Sequence, residues 1–197
     1  MTLPVTKGDF KILDFDIENR PLSYWIPDRP TAEVTAIAAC WVGKPRSMRV
    51  WLLGPALTDA DHRAMVQAML SEFVDMYNQA DMVTGHYIKR HDLPIINGSL
   101  MDNGLPTLGQ KMAQDTKLDM VKKADIPATQ ENLSDMLALA EKKYHMKQSM
   151  WRQANRLTVE GLAATEKRVV GDVRQHMKMR RAMLTAGWLK NPKIWRP

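Results

Sequence analysis

The chain has 197 residues, 45% hydrophobic and 25% charged, which is the composition of a soluble globular protein too short for two large domains. Its single cysteine excludes an internal disulfide and a thiolate-rich metal site. A net charge of +6 with pI near 9.5 favours a polyanionic partner, although a solvated basic helix face gives the same count. No apolar run reaches the length of a membrane span, and no basic stretch followed by an apolar one opens the chain. The cytosol is therefore the expected compartment, without membrane association. With no repeat or low-complexity linker, one domain over residues 1–197 is expected, residues 1–9 and 188–197 being peripheral.

Residues 10–21, FKILDFDIENRP, read as a strand. Alternation puts Leu13, Phe15 and Ile17 on one side and Asp14, Asp16 and Glu18 on the other. Three acids on one face suit a divalent cation or a shared proton; a half-exposed edge strand with a solvated acidic face explains the same string. RPLSYWIPDRPT, with three prolines, predicts an extended loop, in which Tyr24 and Trp25 stack on a base or pack on the sheet. VTAIAACWVG and SMRVWLLG, separated by GKPR, predict a hairpin pairing with the first strand, with Cys40 a small buried residue. TDADHRAMVQAMLSEFVDMYNQ switches to helical spacing, with Met65, Met69, Phe73, Val66, Leu70 and Val74 on one broad face and Thr58 as cap.

ADMVTGH predicts a short strand, followed by a loop and a helix that stops by the glycines at 98 and 104. QKMAQDTKLDMV holds a last strand and a helix, TQENLSDMLALAEKKYHM an amphipathic helix, and KQSMWRQANRL a short basic one. From Thr158 to Thr185 a long helix is expected, with Val159, Leu162, Val169, Val173 and Met177 as its apolar stripe, Gly171 as a point of close approach and Gly187 as its stop. The order of elements predicts an α/β fold with a mixed five-stranded sheet flanked by helices. Within it Asp92 opens a helix after a Gly-His loop, as a cap or a ligand. Asp172 lies at the edge of the last helix's stripe, as a ligand or as a surface acid paired with Arg168 or His176.

In order and spacing, these acids resemble the DEDD superfamily of 3′-to-5′ exonucleases, the DnaQ-like proteins with a ribonuclease-H-like fold. ILDFDIENRP is similar to its first motif, VTGHYIKRHDLP to its second and RVVGDVRQHMKMRRAML to its third; AQDTKL resembles an Asp-Thr-Lys segment between the last two. The likeness runs from Phe10 to Leu184 and, because such proteins are frequent in bacteriophages, implies a phage origin. It implies two Mg²⁺ or Mn²⁺ ions held by Asp16, Glu18, Asp92 and Asp172, about 3.5–4 Å apart. It also implies hydrolysis at the 3′ end of single-stranded DNA in replication or repair, with a DNA polymerase as a partner; an RNA-directed exonuclease is the alternative that the sequence does not separate from it. Tyr87, Arg168, Arg174 and Lys178 are the expected nucleic-acid contacts.

The chain departs from the family pattern at several positions. Tyr87 replaces an asparagine and His91 an aromatic residue, while Lys167 and Arg168 stand where the family places its water-activating histidine or tyrosine. Neither cation is a base at neutral pH. His176, one turn beyond Asp172, is the expected substitute, ahead of His86 and His91. A non-catalytic nucleic-acid-binding or polymerase-associated module that keeps the fold is the alternative.

Overall fold

The computed structural model describes residues 10–21, 32–120 and 126–197. Alternation along the first strand, β1 (Ile12–Pro21), decides which helices cover each face of the sheet. Leu13, Phe15 and Ile17 point into the main core, where Phe15 meets Phe73 of α1 (Asp59–Asn78) with ring centroids 5.2 Å apart. Each such buried aromatic or aliphatic side chain contributes about 1.5–3 kcal/mol. Asp14, Asp16 and Glu18 take the opposite face, as the alternation predicts, and there they meet α6 (Val159–Thr185).

The remaining strands are β2 (Ala32–Trp41), β3 (Arg49–Leu52), β4 (Met82–Gly85), β5 (Lys111–Asp115) and β6 (Lys193–Trp195). They order as β3-β2-β1-β4-β5-β6. β1, β4 and β5 run parallel, while β2, β3 and β6 pair antiparallel to their neighbours. The helices α2 (Asp92–Asp102), α3 (Thr116–Met120), α4 (Gln130–Met136) and α5 (Gln148–Asn155) complete a mixed α/β architecture compatible with a ribonuclease-H-like fold. Thr58 and Thr158 cap α1 and α6 through their hydroxyls, and Gly187 ends α6 with φ 68°.

Several expectations are corrected. The sheet has six strands, not five: residues 193–195 pair with β5, and Trp195 is buried in the main core, so the C-terminal residues are not wholly peripheral. The helix expected over residues 129–146 stops at Met136, and the chain from Leu139 to Lys147 crosses the surface of α6 without helix or strand, tied to it by Gln175 and Lys178. Val159 is 77% exposed and leaves the stripe, because the first turn of α6 turns Gly161, not Val159, towards α5. The loop holding Tyr24 and Trp25, and the lead-in 1–9, lie outside the described residues.

The close approach expected at Gly171 occurs instead at Gly161. A Cβ there would stand 2.3 Å from the Gln153 carbonyl carbon and 2.4 Å from the Ala154 nitrogen, whereas at Gly171 it meets nothing within 4 Å. α5 thus packs onto the glycine's bare backbone. Gly161→Ala is expected to destabilise by about 1–3 kcal/mol. Gly171→Ala is expected to stabilise by about 0.5–1 kcal/mol through helix propensity. Urea unfolding of the two variants beside the wild type measures both.

Candidate metal and nuclease site

The site lies where β1 faces α6. Two strand residues advance about 6.6 Å and four helix residues about 6 Å, so every second residue of β1 meets every fourth of α6. Glu18 meets Arg168, the carboxylates of Asp16 and Glu18 converge with Asp172, and Asp14 meets His176. On the neighbouring strand, Ala38 pairs with Asp16 and Ala36 with Glu18, so small side chains flank the acids and leave room around them. A register shift between Glu18 and Asn19 ends this regular pairing beside the site.

One ligand atom from each of Asp16, Glu18 and Asp172 can be chosen so that all lie within 4.8 Å of one another. Asp92 stands next to this group: its Oδ1 accepts the backbone N–H of Ile17, between Asp16 and Glu18, at 3.2 Å. Its other oxygen is 3.4 Å from Nδ1 of His91. The loop that delivers Asp92 is fixed from β5. Asp115, fully buried, accepts the N–H groups of Tyr87, Lys89 and Leu118 at 3.0–3.1 Å, holding Tyr87 at φ 78°. At Gly85 an added Cβ would stand 2.8 Å from the Phe15 carbonyl, so the start of the loop lies against β1 itself.

Burial, then the charges of Asp92, Asp172 and Glu18, hold Asp16 well above the usual carboxylate range. Burial also raises Glu18, which Arg168 partly offsets, and raises Asp92 against the opposing effect of His91. Proton affinity raised by crowded carboxylates is what a divalent cation relieves. One atom bears directly on a metal: Oδ1 of Asp172 is buried and has no hydrogen-bond partner among the described residues. A buried carboxylate oxygen left unpaired is costly, and hard oxygen donors suit Mg²⁺ or Mn²⁺. The residues present therefore fit such an ion.

Two cations of the chain enter the same space. Lys143, from the segment after α4, places its ammonium 2.9 Å from Oδ2 of Asp172. Arg168 places Nε 2.5 Å from Oε1 of Glu18 and donates from Nη1 to the Tyr144 carbonyl at 2.9 Å. Its side chain is only 16% exposed, inside the site and not on a solvent-facing phosphate track. Of the other expected nucleic-acid contacts, Lys178 pairs with Glu141 and Arg174 is exposed on α6. Tyr87 has the Lys117 ammonium 3.9 Å from its ring centroid and the His91 ring stacked with it at 6.5 Å.

His176 is not brought to the carboxylate cluster. Its Nδ1 lies 2.8 Å from both oxygens of Asp14 and its Nε2 3.1 Å from the Thr116 hydroxyl, which in turn lies 3.0 Å from Nδ1 of His86. Both ring nitrogens are committed inside the protein. Burial, then the charges of His176, Lys117 and Lys143, pushes His86 down to about 3. Asp115 lies in the Asp-Thr-Lys segment and Asp14 on the acidic face of β1, although the sequence assigns a site role to neither, and Lys143 carries no signal at all.

No protein-family model matches the chain, and no curated protein matches it. Among solved structures it is similar to that of the family B DNA polymerase from the hyperthermophilic archaeon Pyrobaculum calidifontis, with TM-score 0.65 and 13% identity over 90% of this chain. The match covers 25% of the polymerase, so the chain spans about a quarter of that protein's length. At this identity the likeness establishes the fold.

His176→Leu is expected to destabilise by about 3–5 kcal/mol, because it leaves Asp14 a buried, unpaired acid; Asp14→Leu in the same chain is expected to restore much of the loss. Thermal unfolding of the single and double variants measures this. His86 carries a pH dependence of known sign. The unfolded chain takes up a proton near pH 6.5 that the folded chain accepts only at about 3, so the contribution is full above 6.5 and is lost as pH falls through that window. Urea unfolding from about pH 7 down to about pH 5 is expected to show the loss, with a flatter profile in His86→Asn.

Proposed function

We propose that the chain is a metal-dependent nuclease of the DEDD type that removes nucleotides from the 3′ end of a nucleic-acid strand, with single-stranded DNA as its substrate. The observation that carries this reading is the convergence of Asp16, Glu18 and Asp172 with one buried, unpartnered oxygen of Asp172, at the β1–α6 junction. The fold likeness to a DNA polymerase supports a nucleic-acid substrate, as does the net charge of +6.

Asp16, Glu18 and Asp172 would hold the divalent ion, with Asp92 beside them reaching it directly or through water. The ion, when bound, lowers the pKa of water and neutralises charge on the phosphate. The chain's own residues supply the rest. Lys143 directs an ammonium at Asp172, and we assign to it the orientation of the attacking water or of a phosphate oxygen, the task left open by the missing tyrosine or histidine. It does so as a hydrogen-bond donor and point charge, not as a base. His176 is assigned a positioning role: by gripping Asp14 it fixes the helix turn that carries Asp172.

A second reading, a nucleic-acid-binding module without catalysis, draws on the same two cations, since Arg168 and Lys143 already pair with acids of the site. Incubating a 5′-labelled single strand with Mg²⁺ or Mn²⁺ separates the two. A ladder shortening from the 3′ end is expected, lowered at least about 100-fold in Asp16→Ala and in Asp172→Ala. In Lys143→Ala a loss of about 100-fold or more in kcat is expected, with KM changed less. Salt-sensitive binding without cleavage in either metal would establish the second reading instead.

A further inference from the structure

Arg168 is held in the site from four directions. Glu18 takes its Nε at 2.5 Å, Asp172 lies 3.8 Å from Nη2, the Tyr144 carbonyl accepts from Nη1, and the Trp151 ring of α5 lies 5.0 Å from its Cζ. A guanidinium is positively charged at every accessible pH, and its planar fork, once seated, loses charge-assisted hydrogen bonds if it leaves. Retraction is therefore costly. Arg168 thus behaves as a fixed cation of the site, placed between the carboxylate at the end of β1 and the one on α6.

The charge of the site follows from these residues. Asp16, Glu18, Asp92 and Asp172 offer four formal negative charges, and Arg168 and Lys143 return two positive ones, with His91, 3.4 Å from Asp92, counted as neutral. What remains is the charge of one divalent ion. The two cations also occupy ligand atoms: Arg168 takes Oε1 of Glu18 and Lys143 faces Oδ2 of Asp172, while the buried Oδ1 of Asp172 is left for an ion. We propose that Arg168 stands in for one of the two ions, so that the site holds a single divalent cation between Asp16 and Asp172. The proposal rests on the preceding reading only in taking these acids to bind a divalent cation.

The number of bound ions tests it without reference to activity. Mn²⁺ is titrated into the intact chain and the free ion followed by electron paramagnetic resonance, with and without a deoxynucleoside monophosphate, because a phosphate can bring ligands for a further ion. The wild type is expected to bind about one Mn²⁺ per chain in both conditions, as is Arg168→Lys, which keeps the charge. Arg168→Gln, checked for folding by circular dichroism, is expected to bind about two with the nucleotide present. Two ions in the wild type would overturn the inference while leaving the metal site in place, and this arm decides even if Arg168→Gln does not fold. A single ion in folded Arg168→Gln overturns it as well. No bound Mn²⁺ in any variant removes the metal reading itself.

Discussion

Asp14 has no exposed surface, and a carboxylate so placed has to be met by a proton or a cation; the rest of the site depends on how that demand is satisfied. His176 satisfies it from α6, and the Thr116 hydroxyl fixes the far side of the imidazole while touching the Gly85 carbonyl at 3.3 Å. One pair therefore sets the height of α6 over β1, and one hydroxyl ties that setting to the loop after β4. Because strand and helix repeats nearly coincide along this line, fixing Asp14 against His176 also fixes the next rung, where Asp172 meets Asp16 and Glu18.

The rungs become less buried from Asp14 towards Glu18. The lowest is sealed. The middle one concentrates acids, and the upper one is capped by Arg168 under the Trp151 ring. Such a gradient requires small neighbours: Ala36, Ala38 and Cys40 line β2 beside the acids and pack against Val169 and Val173, so the helix lies close without covering the carboxylates. The sheet's other face has the opposite character, with Phe15, Phe73, Leu70 and Tyr77 providing rigid support behind the polar one. Local rigidity of this kind is what a set of like charges needs if it is to stay crowded with only Arg168 and Lys143 to offset it.

Much of this was legible in the chain. Period-two alternation placed the three acids of β1 on one side, the Thr58 cap marked the start of α1 and the Gly187 stop the end of α6. Asp92 and Asp172 were legible because each sits at a recognisable point of a helix, the first residue of α2 and the flank of an apolar stripe. Lys143 was not, because its segment contains enough apolar residues to imitate a helix, and its position is set by contacts of Glu141, Tyr144 and Gln175 that no local pattern encodes. Nor was β6: three residues are too few to show a period, and their pairing with β5 is a property of the assembled sheet. The engagement of both nitrogens of His176 likewise depends on two partners distant in sequence from α6.

The bond between Asp14 and His176 spans 162 positions of sequence, and that separation has a consequence for time as well as for space. Closing so large a loop costs entropy that the contacts it brings together have to repay. An N-terminal fragment as it emerges from synthesis carries Asp16 and Glu18 but not the helix that completes their site. The acidic cluster is therefore a property of the finished fold: a growing chain has no competent site, and one appears only when α6 docks.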